Sequence, residues 1–308
     1  MLRLHILASG SRGNASVIED AATGRAVLID CGISKKDFLA RCAEARFDPT
    51  GIEAVLVTHE HTDHTKGLGV VLRGLAKLGA HPDVFANPAT CAASKPLQEM
   101  AETHRVLPFG ADVFVSDDSM VASDEHAEAE KRTTESTGSI DVHTTGIGIV
   151  QKSSYPTELE LAGMRIFPFA TSHDAAASFG FRVECDGDAL GFMTDSGIVT
   201  PAAHDALQDV RLLALECNHD PRMLERGPYP FVVKQRIASD CGHLSNAQAS
   251  DELAALLGNR LEAVAAMHIS ENNNEYDLAL KTFAETLTRE GHSARACCGY
   301  QGRLTSIG

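Results

Sequence analysis

Within six consecutive residues, His59-Glu60-His61-Thr62-Asp63-His64, the chain places three imidazoles and an aspartate carboxylate, all able to hold a metal ion. If the backbone is extended at the start of this run, His59 and His61 point the same way. Asp63 and His64 can then turn towards a second point, so two neighbouring ions are a natural outcome. Imidazole with carboxylate suits zinc, and also manganese or iron, and no thiolate in the run demands a softer metal. A surface loop with chance histidines is the competing reading. It is weak, because these histidines gather directly after an apolar stretch.

The elements that must position this run follow from hydrophobic patterning. Leu2–Ala8 and Ala15–Ile18 read as strands flanking the turn-rich Ser9–Asn14, and Ala26–Ile29 as a short strand ending at Asp30. Ser34 caps a helix carrying Phe38, Leu39 and Cys42. Ala54–Val57 is a buried strand with the histidine run on its C-terminal end, and Leu68, Val71, Leu72, Leu75 and Leu78 then recur at helical spacing. Met164–Phe169, Gly180–Val183, Leu190–Met193, Leu212–Leu215 and Ala263–Met267 are strand-like. Asn246–Leu257, with Asn246 as cap, and Glu275–Arg289 are helical. Such runs predict a layered α/β or α+β sandwich. Asp30, His59, His173, Asp195, Glu216 and His268 all lie at or just after strand ends, where they can converge on one sheet edge. No internal repeat is evident.

Thr58-His-Glu-His-Thr-Asp-His64 resembles the His-x-His-x-Asp-His signature of the metallo-β-lactamase superfamily, and further positions follow in family order. Asp30 in Leu-Ile-Asp-Cys-Gly matches the strand-end aspartate and His173 in Thr-Ser-His-Asp the third-motif histidine. Asp195 in Met-Thr-Asp-Ser-Gly matches the bridging aspartate, and His268 in Met-His-Ile-Ser the last histidine. The resemblance implies a four-layer αββα sandwich, α/β (α+β) in class, with residues 1–308 forming a single domain. It also implies two divalent metal ions, zinc or manganese. His59, His61 and His173 would hold one, Asp63, His64 and His268 the other, with Asp195 bridging. Asp30 would orient a ligand from behind, and His219 is a candidate for the same role or a purely structural one. A hydroxide shared by the ions would attack the substrate, which counts Asp63 among the catalytic residues.

Finer motifs are similar to the YycJ/WalJ-type nucleases from Leu2 to about Phe283. They are Leu7-Ala-Ser-Gly-Ser-Arg-Gly-Asn14, Asn218-His-Asp220, Gly227-Pro-Tyr-Pro230 with Lys234-Gln-Arg236, Gly242-His-Leu-Ser-Asn246 and His268-Ile-Ser-Glu-Asn-Asn273. This likeness implies 5′-to-3′ hydrolysis of DNA, rather than RNA, from duplex ends. Glu216 and His243 resemble the pair that serves tRNA 3′-processing endonucleases, with Glu216 orienting His243 as general acid. A helix-start histidine is the alternative for His243. Ser9, Ser11, Arg12 and Asn14, with the N–H groups of their loop, suit a phosphate cradle, or form only a turn. Arg222, Arg226, Lys234 and Arg236 could follow a nucleic-acid backbone, with Tyr229 or Phe231 stacking on a base; a solvated basic face explains them equally well. Asn272 and Asn273 contact substrate or cap the next helix.

Rival chemistries are weighed by single residues. His61 stands where flavodiiron-type oxidoreductases carry glutamate, and Asp195 where many β-lactamases carry cysteine. The stretch between Asp195 and His268 has no room for the inserted domain of RNase J-like nucleases. A small-molecule ester, thioester or cyclic-nucleotide metallohydrolase would use the same metals without the basic cluster. A non-catalytic metal-binding scaffold would not need all seven ligands.

The net charge of −15 argues against a generic nucleic-acid binder, which usually shows a basic footprint. Part of the excess is local: Ser116 to Ser139 holds seven acidic residues against Lys131 and Arg132. That segment buries little apolar surface and is expected to be a mobile acidic insertion, extending to about Thr157. The eight cysteines include no Cys-x-x-Cys pair, and no apolar leader or membrane-spanning run is present. A cytoplasmic protein with reduced thiols and no membrane partner is expected; the sequence specifies no protein partner.

Overall fold

The computed structural model describes residues 1–110 and 157–308, with two short paired strands, Asp112–Phe114 and Val150–Lys152, between them. The rest of the expected acidic insertion lies outside the described residues.

Two seven-stranded mixed sheets form the centre of the molecule. The first has the spatial order Thr305–Ile307, Leu2–Ala8, Ala15–Asp20, Ala26–Ile29, Ile52–Leu56, Asp83–Ala86, Val106–Pro108. The second runs Leu159–Leu161, Met164–Ala170, Phe179–Cys185, Asp188–Met193, Leu212–Glu216, Ala263–Met267, Arg295–Cys298. Read in these directions, each sheet begins with antiparallel pairings and ends with parallel ones. The two halves share a topology that sequence similarity had not revealed.

Strand periodicity explains the layers. In the first strand Leu2, Leu4 and Ile6 point inward and meet Phe179, Phe181, Leu190 and Leu212 of the other sheet, while Leu7 faces outward. Helices Lys35–Glu44 and Leu68–Lys77 cover that outer face through Phe38, Cys42, Val71, Leu72 and Leu75. On the far side, helices Pro201–Leu207, Asn246–Leu256 and Tyr276–Arg289 pack through Leu207, Leu253 and Phe283 onto the second sheet. Four layers result, as expected. Burying each of these large side chains contributes about 1.5–3 kcal/mol.

Some local expectations need correction. Leu78 lies past the helix end and is half-exposed, because the helix stops at Lys77. Ser245, not Asn246, caps the helix that starts at Asn246: its hydroxyl accepts from Gln248 N while the Gln248 side chain accepts from Ser245 N. Asn246 is instead buried against Cys217 and Asn274. Among the described residues, no helix is long and apolar enough to cross a membrane.

Candidate active site

Strand ends deliver the site. Asp30, Asp195 and His268 each follow a strand and turn into the left-handed region, with φ of 56°, 58° and 51°. Non-glycine residues hold that conformation only where surrounding structure imposes it. The histidine run leaves strand Ile52–Leu56 as a loop, and Thr62–Thr65 then forms one helical turn carrying Asp63 and His64. Gly32 permits that turn to sit close: a Cβ there would lie 1.6 Å from the Asp63 carbonyl oxygen.

The ligand-capable atoms of His59, His61 and His173 lie within 4.8 Å of one another, and so do those of Asp63, His64 and His268. Asp195 stands between the two groups, with carboxylate oxygens 3.5 Å from His64 Nε2, 3.4 Å from His268 Nδ1 and 3.9 Å from His173 Nε2. Buried His59 Nε2, His268 Nε2 and Asp195 Oδ2 have no hydrogen-bond partner among the described residues. Leaving such atoms unpaired is costly, so they mark where cations fit. The seven residues singled out in the sequence are thus brought together; Asp195 and His268 also group with Glu216 and His243, and Asp195 with His59 and His64.

Electrostatics agrees with cation binding. Burial, and then the neighbouring imidazoles of His64, His173 and His61, hold His59 well below its ordinary pKa and keep it neutral. Neutral imidazole is the metal-binding form. Burial opposes charge on His268, but Asp195, Asp63 and Glu216 outweigh it and raise this histidine to about 10. Asp63 is likewise driven well below the carboxylate range: burial resists, yet the imidazoles of His268 and His64, with Nε2 atoms 3.6 Å and 3.5 Å from its Oδ2, dominate. The site concentrates negative charge that protons or metal ions must balance.

Asp30 fixes His64. Its Oδ2 is 2.7 Å from His64 Nδ1 and accepts from the Thr58 hydroxyl at 2.7 Å, while Oδ1 accepts from Thr58 N. Nε2 of His64 is thereby turned towards Asp63 and Asp195. Glu216, completely buried, has Oε1 2.7 Å from His243 Nδ1 and 3.3 Å from His268 Nδ1, and its Oε2 accepts from Ser196 N. The Glu216–His243 contact expected from the sequence is present, and the same carboxylate also approaches His268.

Other residues singled out for substrate are engaged within the protein to different degrees. Ser9 is fully buried and its hydroxyl accepts from His268 N, so it cannot face a substrate. In its loop the N–H groups of Gly10, Arg12, Gly13 and Asn14 are bound to Asn14 Oδ1, Gln301 Oε1, Gly10 O and Asp63 O. That leaves little of the expected phosphate cradle. Ser11 and Arg12 are exposed, Arg12 paired with Glu271, and Asn14 reaches inward to Asp63 and His64. Asn273 is fully buried against Ser270, out of a substrate's reach, whereas Asn272 is bonded to the Tyr229 hydroxyl. His219 makes no hydrogen bond to a ligand; its neighbour Asn218 does, through the carbonyl oxygen and Nδ1 of His268. Lys234 donates to Glu225 O, and Arg236 is paired with Asp174, itself 3.3 Å from His173 Nε2. Sequence reasoning missed Thr58, Asn218 and Asp174, although each adjoins a singled-out residue or sits one position from it.

A family model described as "Beta-lactamase superfamily domain" matches residues 25–269. The chain is 30% identical over 284 residues to the exodeoxyribonuclease WalJ of Streptococcus pneumoniae serotype 2, covering 92% of this chain and 87% of that one. It is 28% identical over 290 residues to the exodeoxyribonuclease YycJ of Bacillus anthracis, covering 94% and 90%. Its fold is similar to that of the metallo-beta-lactamase fold protein YhfI from Bacillus subtilis, with a TM-score of 0.63 at 13% identity over 99% of each chain. The chain therefore belongs to the β-lactamase superfamily, as a metal-dependent hydrolase of the metallo-β-lactamase fold.

Proposed function

We propose that the chain is a two-metal phosphodiesterase that degrades DNA from an end in the 5′-to-3′ direction. The observation that carries this reading is the union of two three-ligand groups around Asp195 with the Glu216–His243 pair beside them. The similarity to exodeoxyribonucleases over most of the chain supports the choice of substrate. His59, His61 and His173 would hold one divalent ion and Asp63, His64 and His268 the other. Zinc or manganese there would make water nucleophilic near neutral pH and stabilise charge on phosphate oxygens. Asp30 orients His64, and Glu216 holds His243 where it can give a proton to the leaving oxygen.

Purified protein with Mn²⁺ or Zn²⁺ should shorten duplex DNA labelled at either end. Release of 5′-label as mononucleotides while 3′-label stays on long fragments is the expected pattern, and His61→Ala should abolish it. Intact DNA under every metal would refute the proposal.

A further inference from the structure

The segment between Glu216 and His243 carries features that the metal centre does not use. Helices Pro221–Arg226 and Phe231–Ile237 enclose a cleft of about 380 Å³ whose walls include Pro221, Leu224, Phe231 and Ala238. Phe231 is 72% exposed, an unusual position for a large aromatic side chain. His219 lines the cleft, is 3% exposed, and its buried Nδ1 has no hydrogen-bond partner among the described residues. Gln235, also in the lining, offers an amide with no hydrogen bond among the described residues. An apolar slot with one aromatic face and two uncommitted polar groups matches the chemistry of a nucleobase.

Position and charge support the same occupant. The Phe231–Ile237 helix ends beside the candidate site: Ile237 O accepts from His243 N, and Arg236 is bonded to Asp174, which adjoins His173. Lys234 ties the two helices together through Glu225 O. Arg222 and Arg226, exposed and without an ion pair among the described residues, line a neighbouring depression with Asn272. Lys234 and Glu225 are the charged residues of the slot's own lining, and in a chain of net charge −15 the two arginines add positive charge in the depression beside it. A polyanion bearing flat apolar groups is complementary to both.

We infer that this cleft is a nucleobase subsite, in which one unpaired base of the DNA strand being cut stacks on Phe231 and is read by Gln235, with His219 forming the floor. The inference rests on the nuclease reading above. It requires the strand end to fray before its phosphodiester reaches the metal ligands.

The test uses single-stranded oligonucleotides of one sequence, each with a single abasic tetrahydrofuran residue moved along the strand, and the holoenzyme loaded with Mn²⁺. Wild type should show KM raised about 10-fold or more when the abasic residue falls at one position, since stacking on a single base has roughly that effect. Phe231→Ala should erase the difference between base-bearing and abasic substrates, with folding checked by its melting curve. Gln235→Ala should change the preference among the four bases at that position.

Equal cleavage of every abasic substrate by wild type would overturn the subsite and leave the nuclease reading standing. So would discrimination that survives in Phe231→Ala. A concentration-dependent oligomer lost in Phe231→Ala, with discrimination intact, would assign the slot to a second copy of this chain instead. If wild type hydrolyses bis(p-nitrophenyl) phosphate but no DNA, the nuclease reading itself falls, and the subsite with it.

Discussion

The Nδ1 atom of His243 lies 2.7 Å from Oε1 of Glu216, at the bottom of a network that also reaches His268. A buried carboxylate in that place has one main function, to orient imidazoles. Burial alone would raise the pKa of Glu216, but His243 and His268 hold it well below the carboxylate range, so it stays ionised. His243→Ala should therefore lower kcat about 10²- to 10⁴-fold while KM changes little. Metal content measured by plasma emission should remain at the wild-type value. Loss of metal together with activity would make His243 a ligand rather than a proton donor.

Chelation should remove activity and lower the melting temperature, because an ion bound only by the folded chain stabilises it by mass action. The stabilisation is about 2.7 kcal/mol when free metal is a hundred times its Kd. Differential scanning calorimetry with and without chelator, then with Mn²⁺ restored, measures this. An unchanged melting temperature would argue against metals held by buried ligands.

Gly32→Ala should destabilise the protein by about 2 kcal/mol or more, since the new methyl would overlap the Asp63 carbonyl and push that turn away. Gly258→Ala, where a Cβ meets nothing within 4 Å, is the control and should fall within about 0.5 kcal/mol of wild type. Urea titration of the two variants decides the matter, and metal affinity should weaken in the first alone.

Acid should weaken the fold through His219. Burial lowers its pKa from 6.5 to about 4, so between those values the unfolded chain binds the extra proton. Stability then rises with pH across this window and is lost as pH falls from 6.5 towards 4. His219→Gln should flatten the dependence by an amount of order 2 kcal/mol between pH 6.5 and 4. Urea midpoints measured in that range report the difference.

Much of the candidate site was legible because only a few residue types can hold a metal, and His59 to His64, His173, Asp195 and His268 are of those types and follow apolar strand runs. Strands such as Ala54–Val57 were readable as unbroken apolar runs. Their limits shifted by a few residues, to Ile52–Leu56 here, because strand ends depend on pairing with neighbours distant in sequence. Ser9 and Asn273 look like substrate contacts in sequence, since polarity does not disclose burial. Only the fold reveals that Ser9 is committed to His268 N, 259 residues away. Thr58 was passed over for a similar reason: its hydroxyl acts by donating to Asp30, a contact just past the ends of two paired parallel strands. The helix Phe231–Ile237 escaped notice because its apolar residues face outward rather than into a core.

The residues that would hold the ions are divided between the two sheets. His59, His61, Asp63 and His64 leave the first, while His173, Asp195 and His268 leave the second. Each three-ligand group takes at least one member from either side. The ions would consequently act as clasps across the seam between the two halves of the chain. A folding intermediate with one half formed could complete neither group, so hydrolytic competence would arrive only with the last docking step. Partly folded chains would be inert by construction.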